Sequence, residues 1–343
     1  MTQFLLVVCL VSTIVAVLPS AIAQPRSEKS RSDAFTLNAS LGRGINLGNA
    51  LDAPTEGEWG VKLEAEYFQI IKAAGFRTVR IPVRWSGHAS KDAPYVIDSG
   101  FLKRVDWAID QAEANKLNVV LSMHHYDEMN KEPKKHLARL VGLWKQIAAR
   151  YKDRPATLVF EVFNEPSDKL DEVWNDTIPI VLKAVRETNP TRAVIIGPGT
   201  WNNISALSKL RLPDDPNLIV TVHFYEPFKF THQGASWVTN DDVKQLSGIR
   251  WEGSDAERAE MRKSFDEVAD WAKTHNRPVF IGEFGAYEKA DLPSRVRWSG
   301  AVVKQAETRG FSWAYWEFAS NFGAYDLSKR GWRDPLLKVL QPK

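Results

Sequence analysis

Two glutamates stand at the ends of strongly apolar segments, where an unpaired charge is costly and needs a local reason. Residues 157–166 read TLVFEVFNEP and carry Glu165, and residues 278–284 read PVFIGEF and carry Glu283. Two carboxylates that face each other can cleave a glycosidic bond, because a protonated one assists the leaving oxygen and an ionised one meets the positive charge at the anomeric carbon. Such chemistry requires a scaffold that brings the two segment ends together.

The scaffold is predicted from a pattern that recurs from about Leu37 onward, in which short apolar runs alternate with amphipathic helices. The apolar runs cover residues 43–47, 76–83, 117–123, 157–163, 193–197, 218–224, 278–284 and 311–318. Helices are predicted at 61–75, 101–115, 136–151, 172–188, 257–275 and 294–309. Continuous apolar strands that alternate with helices indicate a parallel sheet covered by helices.

Eight such strands predict an α/β fold of one domain, a single (β/α)8 TIM barrel. The alternative is an open doubly wound sheet. That fold usually carries a glycine-rich phosphate loop after its first strand, and GRGINLGNAL lacks the required glycine spacing. The barrel is therefore the preferred interpretation.

In this fold the functional site lies at the C-terminal ends of the strands. Polar and aromatic residues collect at those ends: Asn46, Asn49, Arg80, His124, His125, Tyr126, Asn164, Glu165, Trp201, His223, Tyr225, Glu283, Trp316 and Glu317. Arg80 and Tyr225 are placed to keep one carboxylate charged, and Asn164 offers an amide to a sugar 2-hydroxyl. The 13 tryptophans of the chain supply flat surfaces of the kind on which sugar rings stack.

The N-terminus predicts an exported protein. Residues 1–23 contain no charged side chain and end in Ala-Ile-Ala, as a cleaved signal peptide does. The alternative, a membrane anchor, is disfavoured because the apolar run from Phe4 to Leu18 is short for a bilayer. Residues 24–36 are predicted to be a disordered leader, and residues 37–343 the catalytic domain. Cys9 is the only cysteine, so the mature chain is expected to have no disulfide.

Several of these segments together resemble the family 5 glycoside hydrolases. They are NEP after strand four, IGEFG on strand seven, HFY on strand six, RIPVRW on strand two, HHY on strand three and WAYWEF on strand eight. The resemblance runs from about Gly42 to the C-terminus. GINLGNALDAP, THQGASWV and WAYWEF resemble a bacterial subgroup of endoglucanases, some of which also cleave mannan.

The resemblance implies a retaining enzyme, with Glu165 as acid/base, Glu283 as nucleophile and their carboxyl groups about 5 Å apart. Arg80 and Tyr225 would orient and ionise Glu283, Asn164 would hold the 2-hydroxyl, and His223 would neighbour the acid/base. The remaining residues that it implies bind sugar are His124 and His125 in the non-reducing subsites, Trp316 under the sugar at the cleaved bond, Glu317 at a hydroxyl, and Asn49, Asp52, His232 and Trp237 along the cleft. Asp52 departs from the family pattern, which has Glu there.

Other carboxylate and histidine residues at the strand ends have alternative roles. Glu161 lies within strand four and is interpreted as the buried partner of a basic residue. His124, His125 and His223 suggest a metal. However, adjacent strand residues point to opposite faces, so His124 and His125 are not expected to share an ion, and no His-Glu-x-x-His motif is present. No metal and no other cofactor is expected.

The chain is therefore predicted to be a secreted, extracellular or periplasmic endo-β-1,4-glucanase that acts as a monomer on soluble or amorphous β-glucan. An endo-β-1,4-mannanase or a dual enzyme is the first alternative, because glucan and mannan differ in the orientation of one hydroxyl. A glycan-binding protein without chemistry and a metal-dependent hydrolase are weaker alternatives. The expected partner is a β-1,4-linked polysaccharide. Nucleic acid is not expected, since the formal net charge is only +3 and the basic residues are scattered, and no membrane is expected after cleavage.

Overall fold

Eight parallel strands close into a barrel in which each strand pairs with the next and β8 pairs with β1. A computed structural model of the chain describes Met1 and residues 34–342. The strands are β1 (Arg43–Asn46), β2 (Thr78–Val83), β3 (Asn118–Met123), β4 (Leu158–Glu161), β5 (Val194–Ile196), β6 (Leu218–Phe224), β7 (Val279–Phe284) and β8 (Ser312–Tyr315). Each lies within an apolar run of the sequence, and the predicted (β/α)8 barrel is confirmed.

Helices surround this barrel. They are α1 (Ala34–Leu41), α2 (Ala65–Ala73), α3 (Ser99–Ala114), α4 (Asp127–Lys131), α5 (Pro133–Arg150), α6 (Leu170–Arg186), α7 (Gly199–Asn202), α8 (Phe228–Thr231), α9 (Asp241–Gln245), α10 (Asp255–His275), α11 (Leu292–Thr308) and α12 (Asp334–Leu340). Single 3₁₀ turns lie at Trp85–His88 and Ile204–Lys209, and β9 (Tyr325–Asp326) pairs antiparallel with β10 (Gly331–Trp332). None of the helices within residues 34–342 is long and apolar enough to cross a bilayer.

The helix α1 corrects the predicted leader of residues 24–36. Ala34, Leu37 and Leu41 are buried and pack with side chains from the barrel interior, such as Val120 and Ile219. The leader was predicted to be disordered because its sequence is polar, but this short apolar face is buried by contacts distant in the sequence. Residues 24–33 of the leader, and the predicted signal peptide after Met1, lie outside the described residues.

Helix α1 closes the N-terminal end of the barrel. Asn38 is buried there, and its Nδ2 donates to the Val279 carbonyl (2.9 Å) while its Oδ1 accepts from Ser312 Oγ (2.6 Å). Val279 and Ser312 are the first residues of β7 and β8. The C-terminus lies at the same end, because Arg43, the first residue of β1, donates through Nη1 to the Pro342 carbonyl at 2.9 Å. Among residues 34–342, the opposite end of the barrel is the one left open for a cleft.

The pairing of β6 with β7 is irregular next to the strand ends. Val222 pairs with Ile281 but His223 pairs with Glu283, so Gly282 is an extra residue on β7. A side chain at Gly282 would not fit, because its Cβ would lie 2.6 Å from Thr221 Oγ1 and 2.9 Å from His223 Nε2. Bulges commonly re-aim side chains at functional sites. Here the bulge sets His223 directly beside Glu283.

Candidate active site

Glu165 and Glu283 lie close together at the open end of the barrel. Glu283 is on β7 and is 5% exposed. Strand β4 ends at Glu161, and the following four residues carry Glu165 over the rim, where its side chain is 26% exposed. One carboxylate oxygen of each glutamate and a nitrogen of His223 lie within 4.8 Å of one another. The two acids therefore face the same small space.

Glu283 is held by two donors. Arg80 Nη1 donates to its Oε1 at 2.7 Å, and the Tyr225 hydroxyl donates to its Oε2 at 2.8 Å. Burial raises the pKa of Glu283, and the charge of Arg80 and the Tyr225 hydroxyl oppose that rise. Charge-assisted hydrogen bonds of this kind favour the ionised carboxylate. The arrangement is suited to a nucleophile with fixed orientation.

Arg80 is fully buried and fixed on several sides. Its Nε and Nη2 bind Glu161 at 2.6 and 3.0 Å, so Glu161 is the buried partner of a basic residue, as predicted. Burial lowers the pKa of Arg80, but the carboxylates of Glu161 and Glu283 more than offset this and the net shift is upward. Its Nη2 also donates to Asn164 Oδ1 at 2.5 Å, which turns the Asn164 amide nitrogen away from Arg80.

Glu165 has a different environment. Its Oε1 lies 2.7 Å from His223 Nδ1, and no hydrogen bond to its Oε2 is formed by residues 34–342. Burial raises the pKa of Glu165 to about 7, against the opposing charge of Arg80. Burial also lowers the pKa of His223 to about 4, so the ring is neutral at neutral pH. Glu165 can therefore carry a proton under conditions in which an ordinary glutamate is ionised.

One side of the cleft is formed by residues that follow β1, β3 and β8. The ring of His124 lies parallel to Trp316, with centroids 5.7 Å apart. Glu317 is buried and accepts a hydrogen bond from Asn49 Nδ2 through Oε2. Burial raises the pKa of Glu317 to about 8.

Asp52 adjoins this group. It is buried, its Oδ2 accepts from Asn49 N at 3.1 Å, and the same oxygen lies 3.8 Å from His125 Nε2. Burial raises the pKa of Asp52 to about 7, against hydrogen bonds from the backbone. The structure thus brings together six of the residues predicted to bind sugar: Asn49, Asp52, His124, His125, Trp316 and Glu317.

The expectation that His124 and His125 cannot share an ion is wrong. Their rings are 4.5 Å apart and edge to face, and one ligand atom from each lies within 4.8 Å of the other and of an oxygen of Asp52. The reason is that β3 ends at Met123 and His125 has a left-handed φ of 49°, so the alternation of a strand no longer applies. A metal-independent reaction stays a prediction.

The comparisons with known proteins agree with this geometry. The family model described as Cellulase (glycosyl hydrolase family 5) matches residues 42–322. The chain belongs to glycosyl hydrolase family 5. The predicted family, and with it the glycoside hydrolase class, is confirmed.

Most of the similar proteins are endoglucanases by name. Endoglucanase H of Acetivibrio thermocellus is 38% identical over 304 residues, which cover 88% of this chain and 32% of that protein. The chain thus spans about a third of the length of that relative. The crystal structure of endoglucanase Cel5A from Thermotoga maritima is 49% identical and superposes with a TM-score of 0.88 over 90% of this chain and 100% of that one. Structures of the same Thermotoga protein are described in complex with cellobiose and with mannotriose.

The other side of this family 5 cleft is aromatic. His232 is buried, stacks on Phe228 with centroids 4.1 Å apart and meets Tyr225 edge to face. Trp237 is 51% exposed and packs against Tyr287. Trp201, after β5, is 54% exposed. Exposed indole rings are suited to stacking on sugars, whereas His232 is placed to support Tyr225.

Two asparagines of this family 5 site received no functional role from the sequence: Asn46, which was predicted only to lie at a strand end, and Asn202, which was missed. Asn46 accepts from Arg80 Nη1 at 2.8 Å and donates to the Gly282 carbonyl at 3.0 Å, which ties β1 to β2 and β7. Asn202 lies against His223. The position of Asn46 at a strand end was a usable signal. Asn202 follows Trp201 directly, and its sequence context carries no signal that distinguishes it from an ordinary loop asparagine.

Proposed function

We propose that this family 5 protein is a secreted, retaining endo-β-1,4-glucanase. The observation that carries the proposal is the pair Glu165 and Glu283, with carboxylate oxygens within 4.8 Å of each other and different environments. Retaining glycosidases hold their carboxyl groups about 5 Å apart, whereas inverting ones leave about 6.5–9.5 Å for a water molecule. The spacing supports retention, and the names of the relatives support the endoglucanase activity.

The first step breaks the glycosidic bond. The ionised oxygen of Glu283 forms a bond to the anomeric carbon while Glu165 gives its proton to the departing glycosidic oxygen. Arg80 and Tyr225 hold Glu283 in the attacking orientation. The Asn164 amide nitrogen, which Arg80 turns away from itself, is available to the sugar 2-hydroxyl. The product is a glycosyl ester on Glu283 and a free leaving chain.

The second step uses the same groups in reverse. Glu165, now ionised, takes a proton from water, the oxygen of that water attacks the anomeric carbon, and the bond to Glu283 breaks. Two inversions leave the configuration unchanged. Glu165 needs to change protonation state near neutral pH, and its pKa, raised by burial to about 7, suits that change.

A dual glucanase and mannanase is the second candidate. The Thermotoga protein, 48% identical to this chain, is described with both cellobiose and mannotriose bound. Because glucose and mannose differ in the orientation of one hydroxyl, a site that contacts this group through one or two hydrogen bonds can accept both. An indole ring such as that of Trp237 stacks on the face of a sugar ring and forms no hydrogen bond that would distinguish the two orientations of this hydroxyl.

Two measurements test the activity. Reducing-sugar release from carboxymethylcellulose, barley β-glucan, lichenan, glucomannan and galactomannan separates the glucanase from the dual enzyme. ¹H NMR of the first products from a cello-oligosaccharide reports the anomeric configuration, and the β-anomer is expected first. An initial α-anomer would rule out double displacement, and hydrolysis confined to galactomannan would reverse the substrate assignment.

Export and monomeric state belong to the same proposal. The uncharged residues 1–23 with their Ala-Ile-Ala ending support removal of a signal peptide. Expression of the full chain in a bacterium that exports proteins should give a mature product whose N-terminal sequence begins at Gln24. A product that keeps Met1 and sediments with membranes would support an anchor instead. Light scattering of the mature protein should give the mass of one chain.

A further inference from the structure

Asn202 lies against His223, and packing alone does not explain its presence. The side chain is fully buried, and its Oδ1 atom has no hydrogen-bond partner among residues 34–342. Residues 200–202 have φ values of 55°, 57° and 55°, in a region that side chains other than glycine rarely adopt. A buried amide with an unpaired oxygen on such a backbone is unfavourable compared with an apolar residue. Its contacts therefore require a functional explanation.

The orientation of the amide follows from its neighbours. Asn202 Nδ2 donates to the backbone carbonyl of Asn164 and lies 3.3 Å from His223 Nε2. A carbonyl oxygen only accepts, so the amide atom beside it is the nitrogen. An amide nitrogen only donates, so His223 Nε2 accepts from it. The proton of the neutral ring is then on Nδ1, which donates to Glu165 Oε1 at 2.7 Å.

We propose that Asn202 is a positioning residue that keeps His223 neutral with its proton on Nδ1 and thereby directs the acidic proton of Glu165 to Oε2. The inference rests on the proposed role of Glu165 as acid/base. Because Oε1 accepts a hydrogen bond from His223, the proton of Glu165 resides on Oε2, the oxygen that no residue within 34–342 binds. That oxygen is the one available to the glycosidic oxygen of a substrate.

The opposing charges show why such control matters. The charged or titratable groups that face His223 are Arg80 from β2, His124 from β3, Glu161 and Glu165 from β4 and its extension, and Glu283 from β7. Glu165 and Glu283 lie 2.7 and 3.6 Å from Nδ1 and would stabilise a protonated ring. A protonated ring would, however, aim an N–H of Nε2 at an N–H of Asn202, which disfavours that state.

The segment that carries Asn202, residues 200–202, is held by hydrogen bonds to residues outside the site. Asp171 accepts from Thr200 N at 2.8 Å and from its hydroxyl at 3.2 Å, and Trp201 N donates to the Pro166 carbonyl at 2.9 Å. Gly197 leaves the space for the amide, because a Cβ at that position would lie 2.0 Å from Asn202 Oδ1. Gly197→Ala therefore displaces Asn202 without changing its chemistry.

The test is the pH profile of kcat/KM, which reports the pKa values of the free enzyme. Asn202→Asp replaces the amide donor with a carboxylate that accepts a hydrogen bond from protonated His223. The positive charge of that ring then favours the ionised form of Glu165. The basic limb should move to lower pH by roughly one unit or more, the size of shift that a nearby opposite charge causes. Asn202→Leu and Gly197→Ala should move it in the same direction by less. kcat/KM at the optimum should fall ~10-fold to 10²-fold, less than the ~10²–10⁴ expected for loss of a general acid.

Asn203→Ala is the matched control. Asn203 is the next residue and caps the following 3₁₀ turn through a hydrogen bond from Ser205 N at 2.9 Å. This variant should lower the melting temperature and leave the basic limb in place. ¹⁵N NMR of histidine-labelled protein, with the His223 signals assigned from His223→Asn, should show a protonated Nδ1 and an unprotonated Nε2 in the wild type, and both protonated in Asn202→Asp.

Two results would overturn the proposal. One is a set of Asn202 variants with reduced kcat/KM but an unshifted basic limb, which is the outcome of a purely structural role. The other is a wild-type His223 with its proton on Nε2. Glu165→Gln separates this failure from failure of the proposed function. If Glu165→Gln keeps full activity, the acid/base assignment itself is wrong, whereas an inactive Glu165→Gln with unshifted Asn202 variants excludes only the role of Asn202.

Discussion

At the scale of single residues, the two glutamates proposed as catalytic differ in the groups that bind them. Glu283 receives hydrogen bonds from a cation and a phenol, and Glu165 receives one from a neutral imidazole. Burial acts on both, but only Glu283 has a positive charge in direct contact. This asymmetry allows one carboxyl group to hold a proton while the other remains ionised.

The raised pKa of Glu165 predicts the pH dependence of activity. The first step needs Glu165 protonated and Glu283 ionised, so kcat/KM should fall as the pH rises through about 7, where Glu165 loses its proton, and should also fall at low pH, where Glu283 takes up a proton. Initial rates on an aryl cellobioside from pH 4 to pH 9 measure this. A basic limb that first appears near pH 9, or activity that rises across this range, would contradict the assignment of Glu165 as the acid.

The nucleophile assignment predicts a chemical rescue. Glu283→Ala should lower kcat by ~10²–10⁴, and azide should then enter from the vacated side and give a glycosyl azide of inverted configuration. Glu165→Ala is the matched variant, because it keeps Glu283, and with azide it should give a glycosyl azide of retained configuration. NMR of the two azides distinguishes them. The same configuration from both variants would show that one assignment is wrong.

At the scale of elements, a buried ion pair joins β2 to β4. Arg80 and Glu161 make two hydrogen bonds across β3, and neither side chain is exposed. Removing one partner of such a pair leaves an uncompensated buried charge. The pair therefore links the stability of the barrel to the orientation of Arg80, which in turn holds Glu283.

Glu161→Ala should accordingly lower both stability and activity. We expect the free energy of unfolding to fall by about 3–5 kcal/mol and kcat to fall because Arg80 loses two of its anchors. Urea unfolding and initial rates measure the two effects. Glu132→Ala breaks the exposed pair with Lys135 and should cost only about 0–1 kcal/mol. Equal losses in the two variants would refute the importance of the buried pair.

The elements predicted correctly from the sequence are those whose apolar pattern lies within the element itself. The strands and the long helices follow from apolar periodicity, and all eight strands were found. Helix α1 was missed because its four buried residues are buried only by the distant barrel interior. His125 and Asn202 were misjudged or missed because left-handed backbone at those residues turns their side chains in directions that strand alternation does not predict.

At the scale of the whole molecule, the two ends of the barrel have different roles, one in stability and the other in the proposed reaction. One end is closed by α1, and the other carries Glu165, Glu283 and the aromatic residues. Substitutions at the closed end are therefore expected to change the free energy of unfolding without moving Glu165 or Glu283.

Leu41→Ala tests that separation. Leu41 is fully buried at the closed end, and its truncation should cost about 2–5 kcal/mol of unfolding free energy with kcat unchanged at temperatures where the protein stays folded. Thermal unfolding and initial rates measure the two quantities. Thr36→Ala, at an exposed position of the same helix, should change neither. A large loss of kcat in folded Leu41→Ala would show that the two ends are coupled.

The location of Ala34 and Pro342 beside the closed end bears on how this enzyme can be attached to a solid. A linkage made at Ala34 or Pro342 would place the point of attachment at the closed end of the barrel, so that the open end, which carries Glu165 and Glu283, faces the liquid. Coupling through surface lysines would instead give random orientations, and in a fraction of the molecules the open end of the barrel would face the support.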